Sequence, residues 1–511
     1  MPSPIAFQLA KKAGIAIPED GPPAKNLQYT TLETLMPGQD YRRGIMYYTV
    51  PSFLHTTKKQ GKGKDAPEVP VIETYTSCMT SEGEVFEFDE VNLYEKNYAF
   101  PKMFVSPPQD SWGGDIVRRF SRGETKRPDV GRLYARVRKV YETYIEFADE
   151  MYYDIMTLWV LGSYLYKVFE SYPYLHFNGT KDSGKSQNLR ILKTIGFNTH
   201  WSGEMTAADM YRHIAGNPGV ICIDEAEVWK GERAEALRSI LRGGYNRGME
   251  VSRQRQNPNG RWEQERFPIY SPKALASINP LDDTTRSRTI VVRMRPALRV
   301  IPLFKGDTSK WASLRDDLHL WGLGYASDVA QCYEDWHKKH EEVLPELNNR
   351  AWEISASLIS LMDFIWGTEE ARRVGIWLDQ YFTAERKATD STDITRLIAL
   401  ALPGYISSAM AHDDWYYPVV GVLDHMKEYL DEDAQKSLST RFIAKQLQPL
   451  GFIKQGLAKG GKTVQILEAD LRRVFSERRI EPMTGDVGWL AGQRDYQTED
   501  KVIAEDKGFD L

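Results

Sequence analysis

Tyr174–Asn178 (YLHFN) runs directly into Gly179-Thr180-Lys181-Asp182-Ser183-Gly184-Lys185-Ser186, and Gln187–Ile195 (QNLRILKTI) comes next. The first stretch reads as a short strand and the last as a helix. The loop between them satisfies GxxxxGK[ST] in the strand–loop–helix context that the pattern requires. The residue types suit phosphate binding. Gly179 and Gly184 permit backbone conformations that turn successive N–H groups toward a β-phosphate. The helix start adds positive potential. Lys185 reaches the β- and γ-phosphates, and Ser186 offers a hydroxyl to Mg²⁺. Thr180, Lys181, Asp182 and Ser183 complete the loop. A chance glycine-rich loop is the alternative, and the flanking strand and helix weigh against it.

Downstream, Gly219–Ile223 (GVICI) reads as an apolar strand ending in Asp224-Glu225. An acid at the end of a buried strand can hold a Mg²⁺ shell, and the next acid can polarise an attacking water. Asp224 is therefore assigned to magnesium and Glu225 to the catalytic base; Glu227 has a weaker claim. A further strand, Lys273–Ile278 (KALASI), ends at Asn279, expected beside the carboxylate strand and able to orient the lytic water. A turn-forming Asn before Pro280 is the plainer reading. Arg286 and Arg288 precede the strand Thr289–Met294 (TIVVRM). Either could reach a neighbouring subunit's nucleotide, with Arg288 preferred, or remain a solvated rim charge.

Between these strands lies a hairpin, Met249–Gln256 (MEVSRQRQ) and Arg261–Phe267 (RWEQERF), turning at Asn257-Pro258-Asn259-Gly260. Arg253, Arg255 and Arg261, with Trp262 beside them, suit a nucleic-acid backbone in a channel. An ordinary surface hairpin is the alternative.

The order GTKDSGKS, VICIDEAE, LRGGYNRG, hairpin, KALASIN, TTRSRTIVVRM resembles an AAA+ ATPase module. More narrowly it is similar to the helicase-type AAA+ ATPases of phages, plasmids and integrative elements, related in layout to superfamily 3 and minichromosome-maintenance helicases. The resemblance is specific over residues 170–295 and looser over 345–366. It implies ATP and Mg²⁺ as cofactors, a homo-oligomeric and typically hexameric ring, and movement along DNA. It also implies that Arg350, in Asn349-Arg350-Ala351-Trp352, matches an arginine sensor from a helical lid. Asp182 stands where such loops often carry a further glycine. No primase signature precedes the module, so priming would fall to a separate primase or polymerase.

Ser439–Leu450 (STRFIAKQLQPL), a Gly/Lys turn at Ala458–Lys462 and a return strand Thr463–Leu467 resemble a winged helix. Arg441, Lys445, Lys454, Lys459 and Lys462 would face a phosphate backbone. A protein-interaction role is the alternative.

Composition bounds the rest. The chain holds 66 Lys+Arg against 71 Asp+Glu, so a bulk basic surface is excluded and any nucleic-acid contact must use local patches. Its 511 residues leave room for several domains. The expected fold is an α/β P-loop AAA+ core with a β-rich N-terminal domain, a helical lid and a C-terminal winged helix. The expected divisions are an N-terminal segment at 1–40, the β-rich domain at 41–127, a helical collar at 128–170 and the ATPase core at 171–300. Beyond them come a helical lid at 301–410, the winged helix at 411–480 and an acidic, disordered tail at 481–511. The lysine-rich Lys58–Lys64 reads as a basic loop within the β-rich part. Cys78, Cys222 and Cys332 lack metal-ligand spacing, which fits a reducing compartment. Ile155–Tyr166 is too short to span a bilayer. A cytoplasmic location is expected, in the host cytoplasm if the chain is virus-encoded, with no membrane partner. The functional expectation is a ring-forming replicative DNA helicase. An origin-binding switch ATPase and a remodeller of a protein partner are the rivals.

Overall fold

The computed structural model describes residues 32–59, 68–105, 112–203, 205–225, 231–256, 259–306, 308–347, 349–392, 394–408, 416–427, 438–448, 450–452, 455–458 and 461–478. The N-terminal stretch to 31, most of the lysine-rich loop, Glu227, Lys454, Lys459 and the acidic tail lie outside them. The chain divides into two compact units, Met1–Asp379 and Gln380–Leu511.

The first unit begins with an antiparallel sheet of four strands in sequence order, β1 (Gln39–Arg42), β2 (Ile45–Lys59), β3 (Glu68–Thr80) and β4 (Val85–Glu87). This sheet packs into the rest of the unit. Tyr48 on β2 is fully buried, its ring lying 5.1 Å from Phe197 and 5.9 Å from His319. Residues on both sides of position 127 fall within this first unit. Next come two helices, α1 (Val130–Tyr144) and α2 (Met151–Ser163). Asp129 caps α1 by accepting from the Arg132 N–H, and every residue of α2 is buried. A helix that is apolar all round belongs in a core, and among the described residues no helix is long and apolar enough to cross a membrane.

The central sheet is parallel throughout. Its strands are β5 (Tyr174–Gly179), β6 (His200–Ser202), β7 (Ile221–Ile223), β10 (Lys273–Ser277) and β11 (Thr289–Met294), in the spatial order β11-β5-β10-β7-β6. The buried runs of β7, β10 and β11 fit a sheet covered on both faces, while the edge strand β6 is half-buried. Connecting elements are α3 (Lys185–Ile195), α4 (Ala207–Gly216), α5 (Gly231–Gly243) and the short α6 (Asp283–Arg286). The hairpin β8 (Glu250–Gln256) and β9 (Trp262–Pro268) forms a two-stranded sheet of its own. Helices α7 (Thr308–Val343) and α8 (Asn349–Trp366) follow, and the division between the two units falls within α9 (Thr368–Thr392).

The second unit has its own core. It contains α10 (Ile394–Ser408), β12 (Tyr416–Pro418), α11 (Val419–Met426), α12 (Thr440–Leu447), β13 (Gln455–Ala458), β14 (Gly461–Gln465) and α13 (Glu468–Arg478). The three strands are antiparallel in the order β12-β14-β13. Ile398, Leu402, Val422, Ile443, Leu447, Phe452 and Val464 pack together. α10 thus contributes to this core. Helical periodicity identifies a helix but not the neighbour that covers its apolar face.

Candidate active site

The strand order brings the C-terminal ends of β5, β10 and β7 side by side, with β10 in the middle. Ligand sites in parallel sheets gather at such ends. Here they carry the phosphate loop, Asn279 and Asp224-Glu225.

The loop geometry arises from its residues. Gly184 caps α3 at φ +87°, in the left-handed region that glycine favours. Asp182 also lies there, at φ +61°. That accounts for an aspartate where glycine is common: the position suits glycine, and Asp is among the few side chains that tolerate it. Gly179 is fixed by crowding, because a Cβ there would meet the Met294 carbonyl at 2.2 Å and Ser183 Oγ at 2.8 Å. Ser183 is buried and donates to the Thr180 carbonyl at 2.8 Å. Lys185 Nζ donates to the carbonyls of Gly179 (2.8 Å) and Thr180 (2.6 Å), which holds the ammonium at the loop. Thr180, Lys181 and Asp182 are exposed around it.

Ser186 Oγ donates to Asp224 Oδ2 at 3.0 Å. Two residues from separate motifs thus meet at one point, and a hydroxyl beside a carboxylate is a hard-oxygen donor set of the kind Mg²⁺ takes. Glu225 adjoins it at φ +52°, its N–H donating to Asp224 Oδ1 at 3.0 Å. A non-glycine residue in that region is uncommon, and such positions cluster at functional sites. Glu225 and Asn279 are both exposed. The residues present therefore fit a magnesium–nucleoside triphosphate: the loop has room only for glycine at 179, and oxygen donors lie at the metal position.

Gln187 carries no signature in the sequence. Its Nε2 donates to the Tyr144 carbonyl at 2.6 Å and the Pro302 carbonyl at 3.3 Å, while its Oε1 accepts from the Phe304 N–H at 3.2 Å. It fastens the segment after β11 to the first turn of the phosphate helix.

The arginines lie elsewhere. Arg288 donates from Nε to the Arg242 carbonyl at 2.8 Å and from Nη1 to Thr284. Its guanidinium is 5.2 Å from the centre of the Tyr245 ring. Arg350 lies on the same ring at 4.9 Å and pairs with Glu353 at 2.5 Å. Thr289 pairs with Tyr174 and Met294 with Gly179, so Arg288 sits at the opposite end of β5 from the loop. Five residues of strand separate those ends by about 17 Å. Arg350, in the first turn of α8, thus lies beside Tyr245 together with Arg288. Arg286 closes α6 at the same end of β11.

In the hairpin, Arg253 pairs in register with Glu265 and Arg255 with Glu263. Arg255 Nη1 lies 3.3 Å from Glu265, and Arg253 covers the Tyr211 ring at 5.1 Å. The arginines of one strand thus face the glutamates of the other. Trp262 is 68% exposed beside the turn, and Arg261 is exposed next to it. In the second unit Lys462 is exposed on β14, and Arg441 and Lys445 are exposed on α12.

No family model matches the chain, and no curated protein matches it. Among solved structures it is similar to a full-length MCM homolog from Methanopyrus kandleri, with 9% identity, 66% of this chain and 77% of that chain covered, and a TM-score of 0.33. It is also similar to the C-terminal region of NrS-1, with 10% identity, 77% and 94% covered, and a TM-score of 0.31. The JCV helicase gives 12% identity, 53% and 73% covered, and a TM-score of 0.19.

Proposed function

We propose that the chain is an AAA+ ATPase that forms a ring and acts as a replicative DNA helicase of a phage, plasmid or integrative element. One observation carries the ATPase part: Ser186 Oγ on Asp224 Oδ2 at 3.0 Å, joining the phosphate loop to the carboxylate strand across β10.

Bound MgATP would supply the labile phosphoryl bond and the metal's charge. The chain's residues do the rest. Lys185 and the loop N–H groups hold the phosphates, and Ser186 and Asp224 hold the metal. Glu225 takes the proton of the attacking water, and Asn279 orients that water. Arg288, with Arg350 beside it, meets the nucleotide of the next subunit, because both lie at the far end of the sheet from their own loop. The second unit, with its helices and its β12-β14-β13 order, serves as a winged helix on duplex DNA. Trp262 and the hairpin cations grip one strand.

A second reading, a remodeller of a protein partner, draws on the exposed Trp262 and on hairpin arginines already matched by glutamates. The deciding experiment measures ATP turnover and strand separation on a forked DNA for the wild type and for Glu225→Gln. Turnover and unwinding in the wild type, both lost in the variant, support the helicase. Turnover without unwinding rejects it in favour of the rivals. No turnover rejects the motor.

A further inference from the structure

Asn178 is the last residue of β5 before the constricted Gly179, and its register partner on β10 is Ser277, the last residue of that strand. The ladder between β5 and β10 stops at this pair, and the Asn178 amide carries the connection one step further. Its Nδ2 donates to the Ile278 carbonyl at 2.9 Å and to the Ser277 carbonyl at 3.3 Å. Ser277 Oγ in turn donates to the Asn279 carbonyl at 2.6 Å, and His176 Nε2 lies 2.5 Å from Ser277 Oγ. Since the hydroxyl proton points at Asn279, the imidazole must donate, which requires the proton on Nε2. His176 can hold that neutral form because burial, with Arg286 and Arg293 nearby, pushes it down to about 3.

We infer that Asn178 is a positioning residue that clips the turn carrying Asn279 to the base of the phosphate loop. His176 and Ser277 hold the same turn from within the sheet. The two strands both end at the reaction centre, and the ladder between them stops after Asn178 on one side and after Ser277 on the other. The clip sets the distance from the loop to the residue that orients the water, a spacing to which catalysis is steeply sensitive. This inference rests on the ATPase reading.

The test uses the full chain and measures ATP turnover with single-stranded DNA present, together with affinity for a fluorescent ATP analogue. Asn178→Asp keeps size and shape but replaces the donor by an acceptor. It should lower kcat by about tenfold while leaving KM for ATP within about twofold, the pattern of an interaction made only in the transition state. Asn178→Ala should behave alike. In an Asn279→Ala background, Asn178→Asp should cost less than about twofold, because its effect passes through Asn279. Wild-type kcat in Asn178→Asp overturns the clip, as do losses that multiply in the double variant. A wild-type chain without turnover overturns the ATPase reading and the clip's role with it.

Discussion

Arg288 and Arg350, far apart in the chain, share one aromatic ring: their guanidinium carbons lie 5.2 Å and 4.9 Å from the centre of Tyr245. The Tyr245 hydroxyl donates to Glu353 at 3.0 Å, and Glu353 also accepts from Arg350. The ring thus fixes two cations at the end of the sheet that faces away from their own phosphate loop. In a ring of subunits, Arg288→Ala and Lys185→Ala damage different partners of the same interface. Arg288→Ala alone should lose about a thousandfold or more in turnover, the lower end of the range for such arginines, and Lys185→Ala alone should abolish turnover. Mixing the two should restore a measurable fraction, because some interfaces then combine an intact loop with an intact arginine. Assay of the mixture checks this, and absence of any recovery argues against action in trans.

Gly179 makes a second prediction from crowding alone. A methyl group would approach the Met294 carbonyl at 2.2 Å, and backbone cannot swing aside as a flexible side chain can. Gly179→Ala should cost about 1–3 kcal/mol of stability and displace the loop from β11. Thermal unfolding and nucleotide titration check both effects. Gly248→Ala is the control. It has open space around it, and its φ of +82° strains the backbone locally without touching the loop, so nucleotide affinity should remain.

The hairpin makes a third. Arg253 and Arg255 face Glu265 and Glu263, so a strand reading that counts the arginines alone overstates the positive charge. Trp262, 68% exposed, should contribute more to single-strand binding than either arginine. Trp262→Ala should cost about 1–3 kcal/mol, the worth of one stacked base. Arg253→Glu with Arg255→Glu should weaken binding mainly at low salt. Fluorescence titration at two salt concentrations separates the two contributions.

The legible and the hidden parts of this site differ in kind. Lys185, Ser186, Asp224 and Asn279 are readable because each belongs to a short run with a fixed local context, a strand that turns into a loop or an acid. Spacing alone places Asn279 beside the carboxylate strand, and the sheet order puts it between that strand and the loop. Asn178, Gln187 and Tyr245 carry no such signature. Their roles arise from contacts with residues distant in sequence, such as Asn178 with Ile278 and Gln187 with Pro302. For Arg350 the helix-opening context is visible in the sequence, but its packing on the Tyr245 ring is a tertiary fact. The glutamates opposite Arg253 and Arg255 are in plain view, yet only the register assigns them as partners.

The contact between Ser186 and Asp224 yields the last prediction. Both side chains supply oxygen at one point, 3.0 Å apart, so they should act on metal affinity as a unit and not as independent sites. Ser186→Ala removes one donor, and Asp224→Asn removes the charge. Each should raise the Mg²⁺ concentration for half-maximal turnover by about tenfold or more, the size of effect seen when groups at a metal site are altered. The double variant should show less than the product of the two single effects. Titrating turnover with Mg²⁺ at saturating nucleotide measures all three constants. A fully multiplicative loss would mean that the two residues serve separate functions, and the hydroxyl would then be reassigned to the loop's own packing.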